Sequence, residues 1–352
     1  MRVARPRRLG RALATLVIVA LVSALVRGLW SNGVFSSAKT GFVGSCRVAA
    51  TVPGVQDMET ANGMAFVSVS SARGPAAVDG IYALPLSGGS LRKLSGAPAD
   101  FHPRGIGLYR TPDGKGLFLM AVNRRSNGRF SIDSFEVTNP ATAPALVAQG
   151  TIEGGLLINP QDVAVASPGT FYVANGTAGK NPLIHALQTY GIISGGNVLY
   201  FNGMSFTEAV DGFYGTRSLV LTPDGTHLIV GGLLSRSLTS FSREPFTGAL
   251  TEAGTMTLPA GPEKLSVDGQ GELWVGGHAN LLDWHAFNAD PHGRASSQIF
   301  RVSLLGGVPQ QAEQVYGNDG SEIGGASVAA AAGKQMLIGS SLDGRLLSCT
   351  SQ

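Results

Sequence analysis

The sequence has little charge for its length. Lys, Arg, Asp and Glu together make up 14% of the 352 residues, whereas hydrophobic residues make up 43%. Low charge combined with a high apolar content argues against an intrinsically disordered chain and predicts a large buried core. The 49 glycines show no G-X-Y period, which excludes collagen, and their number instead indicates many tight turns.

The familiar catalytic motifs are also missing. The sequence contains no GxSxG nucleophile elbow, no GxxxxGK[ST] phosphate loop, no HExxH zinc motif and no EF-hand spacing. The six histidines are scattered, and only His278 and His285 are close in sequence. An isolated histidine is more often structural than a ligand. His278 is the exception we single out, because it follows the apolar stretch 274–277 at the expected end of a strand.

The basic residues are concentrated in an N-terminal leader. Six arginines in the first 30 residues carry the positive balance: Arg2, Arg5, Arg7, Arg8, Arg11 and Arg27. Removing these six charges from the formal net charge of +3 leaves −3 for residues 31–352. A slightly acidic body gives no indication of a nucleic-acid-binding surface.

The leader has the pattern of a secretory signal, with a basic start and then a 15-residue apolar run from Ala12 to Val26. A membrane span usually needs about 20 apolar residues, so this run is short unless Arg27 snorkels to the interface. No small-x-small cleavage site follows cleanly. We therefore favour an uncleaved anchor over a removed peptide, and a buried core helix is a third alternative. With an anchor, the body faces the periplasm or the extracellular side; with a cleaved leader, it is secreted.

Only two cysteines occur, Cys46 and Cys349, one at each end of the predicted folded region. An exported chain meets oxidising conditions, which favours a disulfide between them over two buried free thiols. Such a bond requires a fold whose two ends meet.

A repeated phrase runs along the chain: a Gly-containing turn followed by a short apolar strand. Asp-Gly and Asn-Gly supply the positive φ that a two-residue hairpin turn requires, and β-branched and aromatic residues fill the flanking strands. The six turns are Asn62-Gly63, Pro112-Asp113-Gly114, Ser167-Pro168-Gly169, Pro223-Asp224-Gly225, Asp268-Gly269 and Ala332-Gly333.

Units of about 50 residues are long enough for four-stranded blades, and six of them predict a six-bladed β-propeller. The fold class is therefore all-β, preceded by an N-terminal hydrophobic signal or anchor helix. The expected domains are the leader at 1–30, a linker at 31–44 and the propeller at 45–352. Because propellers are commonly closed by pairing the first and last segments, this fold would place Cys46 beside Cys349.

The order of several motifs resembles the paraoxonase/arylesterase family over residues 42–350. The matching segments are GVQDME-ANGMAFVS, FHPRGIGLY, NPQDVAV, TPDGTHLIV, LSVDGQGELWVGGHAN and the terminal LLSC. More distantly, the repeat is similar to gluconolactonases and strictosidine synthases. The resemblance implies a six-bladed propeller with a retained signal segment, a disulfide joining the two ends, two calcium ions in the central tunnel, and hydrolysis of lactones and aryl esters.

The structural calcium of the family falls on compatible residues. Its ligands correspond to the carboxylates of Asp57 and Asp162 and to the backbone carbonyl of Ile106. Oxygen ligands of this kind suit calcium, which takes six to eight of them in flexible geometry. The resemblance thus implies one structural calcium ion, while two unrelated turn aspartates remain the alternative.

The catalytic calcium falls on residues that do not suit a metal. Its ligand positions are occupied here by Gln56, Gln161, Arg217, Glu263 and Lys264. Arg217 and Lys264 offer only donors and positive charge, so we expect these cations to replace the second calcium. Glu263 would then pair with Arg217 or Lys264.

The histidine dyad of the family, proposed to activate water, falls on Arg104 and Arg124. Arginine is effectively never deprotonated, so neither residue can act as a general base near neutral pH. His278 matches a family histidine and is the imidazole expected near the mouth of the tunnel. Both the metal and the base of the family mechanism are thus predicted to be replaced.

Three functions follow as hypotheses. The first is a tunnel that binds a small anionic molecule through Arg104, Arg124, Arg217 and Lys264, with Gln56 and Gln161 as polar partners. The second is a lactone or ester hydrolase with an altered site that uses Glu263 or His278 as base. The third is a non-catalytic interaction scaffold. In each of them the N-terminal segment contacts the membrane if it is retained, and no nucleic acid is expected as a partner.

Overall fold

The computed structural model describes residues 6–71, 78–177, 179 and 181–351. The described residues form six antiparallel sheets, and the first strands of neighbouring sheets contact one another in a closed ring. This is a six-bladed β-propeller, so the predicted fold class is confirmed. Arg2 and Arg5 of the leader lie outside the described residues.

Two short strands precede the blades, β1 (Gly41–Phe42) and β2 (Gly44–Thr51). The first blade contains β3 (Val55–Ala61), β4 (Met64–Val69), β5 (Gly80–Pro85) and β6 (Arg92–Lys93). The second contains β7 (Pro103–Arg110), β8 (Leu117–Arg124), β9 (Phe130–Thr138) and β10 (Ala145–Ile152). The third contains β11 (Pro160–Ser167), β12 (Thr170–Asn175), β13 (Gly196–Phe201) and β14 (Phe206–Phe213).

The fourth blade contains β15 (Thr216–Leu221), β16 (His227–Gly232), β17 (Ser237–Arg243) and β18 (Leu250–Thr257). The fifth contains β19 (Gly261–Val267), β20 (Leu273–His278), β21 (Ser297–Leu305) and β22 (Val308–Asn318). The sixth contains β23 (Ala326–Ala332), β24 (Gln335–Ser340) and β25 (Arg345–Ser351). Three helices are described: α1 (Pro6–Ser31), α2 (Pro182–Thr189) and α3 (Leu281–Ala289).

The two ends of the folded region close the propeller together. The N-terminal strand β2 pairs with β25 and supplies the fourth strand of the sixth blade. In that register Cys46 lies opposite Cys349, and the two sulfur atoms form a disulfide across 303 residues of sequence. The predicted disulfide is confirmed. Strand β1 adds a fifth strand to the outer edge of the fifth blade by pairing with β22.

All six repeated turns connect the first strand of a blade to the second. The turn between β3 and β4 shows why its residues are needed: Asn62 and Gly63 have φ angles of 53° and 75°. Two consecutive positive φ values are what a type I′ hairpin turn requires, and Asn-Gly adopts them at low cost. The turns therefore gather at one end of the tunnel, and the opposite end is left to the starts of the inner strands.

Each inner strand is irregular close to its start. The pairing of the first with the second strand of every blade shifts register at the same place: between Val55 and Asp57, Pro103 and Ile106, Pro160 and Asp162, Thr216 and Ser218, Pro262 and Lys264, and Ala326 and Val328. A bulge inserts an extra residue and re-aims the neighbouring side chains. Side chains that strict alternation would send to opposite faces can therefore act at one site.

Apolar side chains fill the spaces between adjacent blades. Phe66 of the first blade and Leu119 and Phe135 of the second lie in one such cluster and are essentially inaccessible to solvent. Burying side chains of this size stabilises each by about 1.5–3 kcal/mol relative to exposure. The core is thus divided into layers between the sheets and leaves the tunnel free for polar residues.

The N-terminal helix is long and apolar enough to cross a membrane. Its segment Gly10–Ser31 spans 22 residues with a mean hydropathy of 2.3, and none of its most apolar window is buried against the propeller. Its C-terminal end nevertheless contacts the propeller: Arg27 Nε donates to the carbonyl of Gly191 at 3.0 Å, and its guanidinium lies 3.7 Å from the ring centroid of Tyr214.

The segment predicted as a linker is attached to the same surface. The carbonyl of Asn32 accepts a 2.8 Å hydrogen bond from the N–H of Leu281, the first residue of α3. Ser36 accepts a 2.9 Å hydrogen bond from Arg236, a buried residue that follows β16. Residues 27–36 therefore pack on the end of the propeller opposite the six turns.

Candidate functional site

The bulged starts of the inner strands bring the predicted polar residues together. Each of these residues lies near the start of an inner strand: Asp57 on β3, Arg104 on β7, Gln161 and Asp162 on β11, Arg217 on β15, and Glu263 and Lys264 on β19. Arg217 is 46 residues from Glu263 and 56 residues from Gln161 in the sequence, yet its side chain contacts both of them at the tunnel. The cluster lies at the end of the tunnel away from the six turns, and we call this end the mouth.

An ion pair spans two neighbouring blades at the mouth. Arg217 Nε donates to Glu263 Oε2 at 3.0 Å, and Arg217 Nη1 donates to Gln161 Oε1 at 2.8 Å. Gln161 in turn donates to Asn159 Oδ1 at 2.6 Å. Burial alone would raise the pKa of Glu263, but the positive charge of Arg217, supported by that of Lys264, outweighs it and lowers that pKa. The carboxylate of Glu263 is thus held ionised, and of the two partners expected for it, Arg217 and Lys264, it pairs with Arg217.

Lys264 points into the tunnel below this ion pair. Its Nζ donates to the carbonyl of Gln161 at 2.9 Å and lies 3.6 Å from Asp57 Oδ2 and 3.4 Å from Asp162 Oδ2. The side chains of Lys264, Asp57 and Asp162 are 7%, 1% and 2% exposed. Lysine is almost never buried to this extent unless it is paired. The structure therefore places Lys264 with the two aspartates, whereas Glu263 is paired with Arg217.

The two aspartates receive further hydrogen bonds from their own strands and the next ones. Asp57 Oδ2 accepts from the N–H of Ile106 and Asp57 Oδ1 from the N–H of Met58, both at 2.9 Å. Asp162 Oδ2 accepts from the hydroxyl of Ser218 at 2.5 Å. Burial raises the pKa of Asp57 well above its ordinary range, and Lys264 opposes that rise.

Close packing holds Asp162 in this position. Gly105 lies against its carboxylate, and a Cβ atom at residue 105 would be only 2.2 Å from Asp162 Oδ1. No side chain larger than that of glycine fits between the two strands here. At this bulge, the long side chain of Arg104 extends to the mouth. The absence of a side chain at Gly105 leaves room for the carboxylate of Asp162.

These contacts do not fit the calcium ion predicted at Asp57, Ile106 and Asp162. An ammonium group, which has no lone pair, lies near both carboxylates, and Ile106 contacts the site through its N–H donor. Across the described residues, no group of three or more His, Cys, Asp or Glu side chains is arranged to hold a metal ion. We therefore derive no chemistry from a calcium ion in this tunnel.

Arg104 lies at the rim and forms no ion pair with a carboxylate in the part of the chain that the structure describes. Its Nη1 is 3.5 Å from Asn159 Oδ1, its guanidinium carbon is 5.5 Å from the ring centroid of Phe130, and no acidic oxygen of the described residues lies within 4 Å. Burial, followed by repulsion from Arg217 and Arg124, lowers the pKa of Arg104 to about 10. The group remains positively charged at neutral pH.

The remaining predicted ligand residues lie farther from this centre. Arg124 ends β8 with an exposed side chain, so it contributes charge to the rim. Gln56 uses its amide nitrogen to donate to the carbonyl of Ser70 at 2.8 Å. Of the predicted ligand-binding residues, Gln161 is therefore in direct contact with both Arg217 and Lys264, while Arg104, Arg124 and Gln56 make none of these contacts.

His278 lies behind Glu263 and is 1% exposed. Its Nε2 is 3.9 Å from Glu263 Oε2, and its ring packs on Trp284 with centroids 5.5 Å apart. Both ring nitrogens are buried and have no hydrogen-bond partner among the described residues. Burial lowers the pKa of His278 to about 4, and the charge of Glu263 only partly offsets this. The imidazole predicted near the mouth is thus buried and neutral.

A cavity of about 230 Å³ opens at the mouth beside the ion pair. Arg217, Glu263 and Asn159 form its floor, and residues of α2 and α3 form its wall, including His185 and His285. His278 is not among the residues that line it. Sequence reasoning missed His185 and His285, because helices inserted in loops after the second strand of a blade do not belong to the repeated pattern. Asn159 begins the NPQDVAV segment and was not singled out.

Helices α2 and α3 begin with the same kind of cap, which fixes where the wall starts. Asn181 Oδ1 accepts from the N–H of Leu183 at 2.9 Å, and Asn280 Oδ1 accepts from the N–H of Leu282 at 2.9 Å. Asparagine is among the best N-cap residues because its side chain satisfies otherwise unpaired N–H groups. Asn280, which caps α3, lies one residue before Leu281, whose N–H donates to Asn32 in the segment that follows α1.

A second, larger cavity of about 570 Å³ lies at the end of the tunnel where the six turns gather. Its walls are mostly apolar, and Glu59 is its acidic residue nearest the tunnel aspartates. Burial raises the pKa of Glu59 well above its ordinary range, with Asp57 and Asp162 adding to the effect. None of the predicted catalytic residues lines this cavity, so the mouth is the candidate functional site.

The comparison with known families agrees with the fold and with the motif order. The family described as Arylesterase matches residues 88–350. The chain belongs to the arylesterase family. Serum paraoxonase/arylesterase 2 of Rattus norvegicus is 26% identical over 242 residues, which cover 68% of this chain and 66% of that protein. The chain thus matches just under two thirds of the length of the curated relative.

Solved structures of other propellers share the fold of this arylesterase-family chain. Regucalcin from Agrobacterium tumefaciens, titled a calcium-binding protein, has a TM-score of 0.53 at 14% identity and covers 89% of this chain and 97% of its own. A gluconolactonase from Xanthomonas campestris has a TM-score of 0.52 at 15% identity, with 88% and 91% covered. At these identities the similarity establishes the propeller architecture and nothing about the site.

Proposed function

We propose that this arylesterase-family protein binds a small anionic molecule, with a carboxylate as the preferred group, in the cavity at the mouth of the tunnel. The observation that carries the proposal is the charge at the rim. Arg104 lies close to the cavity residue Asn159 with no carboxylate of the described residues within 4 Å, and Arg217 lines the cavity itself. Guanidinium groups suit carboxylates because they can donate two parallel hydrogen bonds.

The charges of the mouth do not cancel. Glu263 neutralises one guanidinium, that of Arg217, and Lys264 is engaged by Asp57 and Asp162. Arg104 and the exposed Arg124 form no ion pair with any carboxylate of the described residues. An unbalanced positive field in a cleft with protein walls raises the local concentration of anions.

The volume of the cavity limits the ligand. At about 230 Å³ it is smaller than the ~300–1,000 Å³ that holds a drug-sized compound. A hydroxy acid or a lactone of a few carbon atoms is the size that the mouth accepts. Larger aryl esters would require α2 or α3 to move.

Hydrolysis of an ester or lactone is the second candidate function, and the family favours it because its curated relatives are named paraoxonases and arylesterases. Glu263 is the carboxylate that lines the cavity, and it would act as the base, with Arg217 beside it to stabilise an oxyanion. His278, predicted as an alternative base, does not reach the cavity. His285 does line it and would take that place.

We also infer that the protein is exported and retained at a membrane by α1. The exposed apolar helix and the disulfide support export, since disulfides persist in oxidising compartments. Because residues 27–36 pack on the mouth end of the propeller, a membrane-inserted α1 would direct the mouth toward the lipid surface.

The test is calorimetric titration of the detergent-solubilised full chain with lactate, 4-hydroxybutyrate and gluconate at low and high salt. We expect binding that weakens as salt rises, because counter-ions screen the guanidinium groups. In parallel, γ-butyrolactone and phenyl acetate are tested for hydrolysis. Turnover that Glu263→Gln abolishes would favour the hydrolase, and no binding with no turnover would favour a non-catalytic scaffold.

A further inference from the structure

We propose that the ammonium group of Lys264 is the permanent cation of the tunnel and takes the place of a metal ion between Asp57 and Asp162. The inference is independent of the anionic ligand proposed above. It concerns which cation lies between the two most deeply placed carboxylates of the site, and it replaces the structural calcium that the family resemblance implied.

The position of the Nζ atom carries the inference. It lies 3.6 Å from Asp57 Oδ2 and 3.4 Å from Asp162 Oδ2, and it donates to the carbonyl of Gln161 at 2.9 Å. Asp57 belongs to the first blade, whereas Gln161 and Asp162 are neighbours on β11 of the third blade. The ammonium group carried by the fifth blade therefore connects the first and third blades across the tunnel, as expected of a central cation.

A metal ion and this ammonium group exclude each other. Calcium binds carboxylate oxygens at about 2.3–2.6 Å, so an ion shared by Asp57 and Asp162 would lie within a few ångströms of Nζ. The repulsion between a divalent ion and an ammonium is twice that between unit charges, and the poorly solvated tunnel screens it weakly. Lysine also offers no lone pair in its charged form, so it cannot join the ligands.

The two aspartates also accept hydrogen bonds from backbone N–H groups and a hydroxyl, in addition to their contact with Lys264. Ile106 and Met58 donate N–H groups to Asp57, and the hydroxyl of Ser218 donates to Asp162. Ser218 also accepts from the N–H of Leu265, the residue after Lys264, so its hydroxyl links the acid to the strand that carries the lysine. Each carboxylate is thus held by protein donors that a calcium ion would not require.

The bulge at the start of β19 makes this arrangement possible. The register of β19 and β20 shifts between Pro262 and Lys264. The side chains of Glu263 and Lys264 can therefore both enter the tunnel, at different distances from the mouth. Glu263 pairs with Arg217 at the mouth, and Lys264 extends to the aspartates below it. The consecutive residues Glu263 and Lys264 therefore form two separate internal ion-pair groups, one with Arg217 and one with Asp57 and Asp162. These groups take the place of the two calcium sites that the family resemblance implied.

The experiment compares full chain stripped with EDTA and then supplied with calcium chloride, using elemental analysis, calorimetric titration and thermal unfolding. For the natural sequence we expect no stoichiometric calcium and no rise in Tm with millimolar calcium. Stoichiometric calcium in the purified protein, or a Tm that rises by several degrees with calcium, would overturn the proposal.

Lys264→Gln provides the second arm, because glutamine removes the ammonium and adds an amide oxygen. We expect this variant to have a lower Tm than the natural protein in EDTA, and a calcium-dependent gain in Tm would support the proposal further. A variant as stable as the natural protein in EDTA would contradict it, since the aspartates would then not need the lysine. Lys334→Gln, at an exposed position, is the matched control and should leave Tm unchanged. If Lys264→Gln does not fold, the calcium measurements on the natural protein still decide.

Discussion

Arg217 and Glu263 occupy the bulged positions of adjacent inner strands and form an ion pair whose Nε and Oε2 atoms are 3.0 Å apart at the mouth of the tunnel. The pair lies on the floor of the cavity, with side chains 24% and 11% exposed. Its partly buried position makes each residue sensitive to the loss of the other. Glu263 therefore limits how much of the Arg217 charge a ligand can use.

Arg104→Gln should weaken carboxylate binding without disturbing this ion pair. Losing one charge-assisted hydrogen bond costs about 1.5–3 kcal/mol, which corresponds to roughly 10- to 150-fold in Kd. The measurement is calorimetric titration with the hydroxy-carboxylates used for the natural protein. Arg110→Gln is the matched control, because Arg110 ends the same strand, β7, at the opposite end of the tunnel. Equal losses in both variants would show that the anion does not bind at the mouth.

Glu263→Gln should tighten carboxylate binding and lower stability. The guanidinium of Arg217 would lose its ionised partner and become available to a ligand, while the partly buried cation would be left unpaired. We expect a loss of about 2 kcal/mol in unfolding free energy, below the ~3–5 kcal/mol of a fully buried pair because Arg217 is partly exposed. Chemical denaturation and calorimetric titration measure the two effects. Weaker binding by this variant would contradict the role assigned to Glu263.

Stability should decline as the pH falls from about 6.5 toward 4 because His278 is buried and neutral. Its pKa is lowered to about 4 in the folded protein. The unfolded chain, with a histidine pKa of about 6.5, binds the extra proton throughout this window, so acid favours unfolding. The shift corresponds to at most ~3 kcal/mol.

The variant His278→Phe tests this by removing the titrating group while keeping a ring to pack on Trp284. Denaturant unfolding at pH 7.5 and pH 4.5 should show a smaller loss for His278→Phe than for the natural protein. His185→Gln, at an exposed position of α2, serves as control and should behave like the natural protein. The same loss in the natural protein and His278→Phe would mean that other groups cause the acid sensitivity.

Removing the disulfide should destabilise the propeller where its ends meet. A cross-link that spans 303 residues contributes about 6 kcal/mol in the chain-entropy model, and typical measured values are about 2–4 kcal/mol. The double variant Cys46→Ser/Cys349→Ser should therefore unfold at a Tm lower by roughly 5 °C or more. Differential scanning calorimetry checks this, and titration of the denatured, unreduced natural protein should find no free thiol. An unchanged Tm would show that pairing of β2 with β25 closes the ring without help.

The sequence by itself determined the architecture. Turn residues such as Asn62-Gly63 and Asp113-Gly114 need specific backbone angles, and apolar strands follow them at regular intervals, so local chemistry was enough to predict six blades. The two cysteines lie on either side of the six repeats. Because a propeller is commonly closed by its first and last segments, the repeat predicted that the two cysteines lie side by side. The resemblance to the arylesterase family placed Gln161, Arg217, Glu263 and Lys264 in the tunnel, and it left either Arg217 or Lys264 as the partner of Glu263.

Only the tertiary structure decided which partners these residues choose and how deep they lie. Six register shifts at the starts of the inner strands set the directions of their side chains. Such a bulge depends on how two strands pair, and the local sequence pattern does not predict it. Lys264 was expected among the anion-binding cations of the tunnel, but its flexible side chain reaches Asp57 and Asp162 on other blades. His278 was expected at the mouth and is buried behind Glu263, because α3 covers it with Trp284. Contacts between residues 100 or more positions apart, such as Lys264 with Gln161, form only when the ring closes.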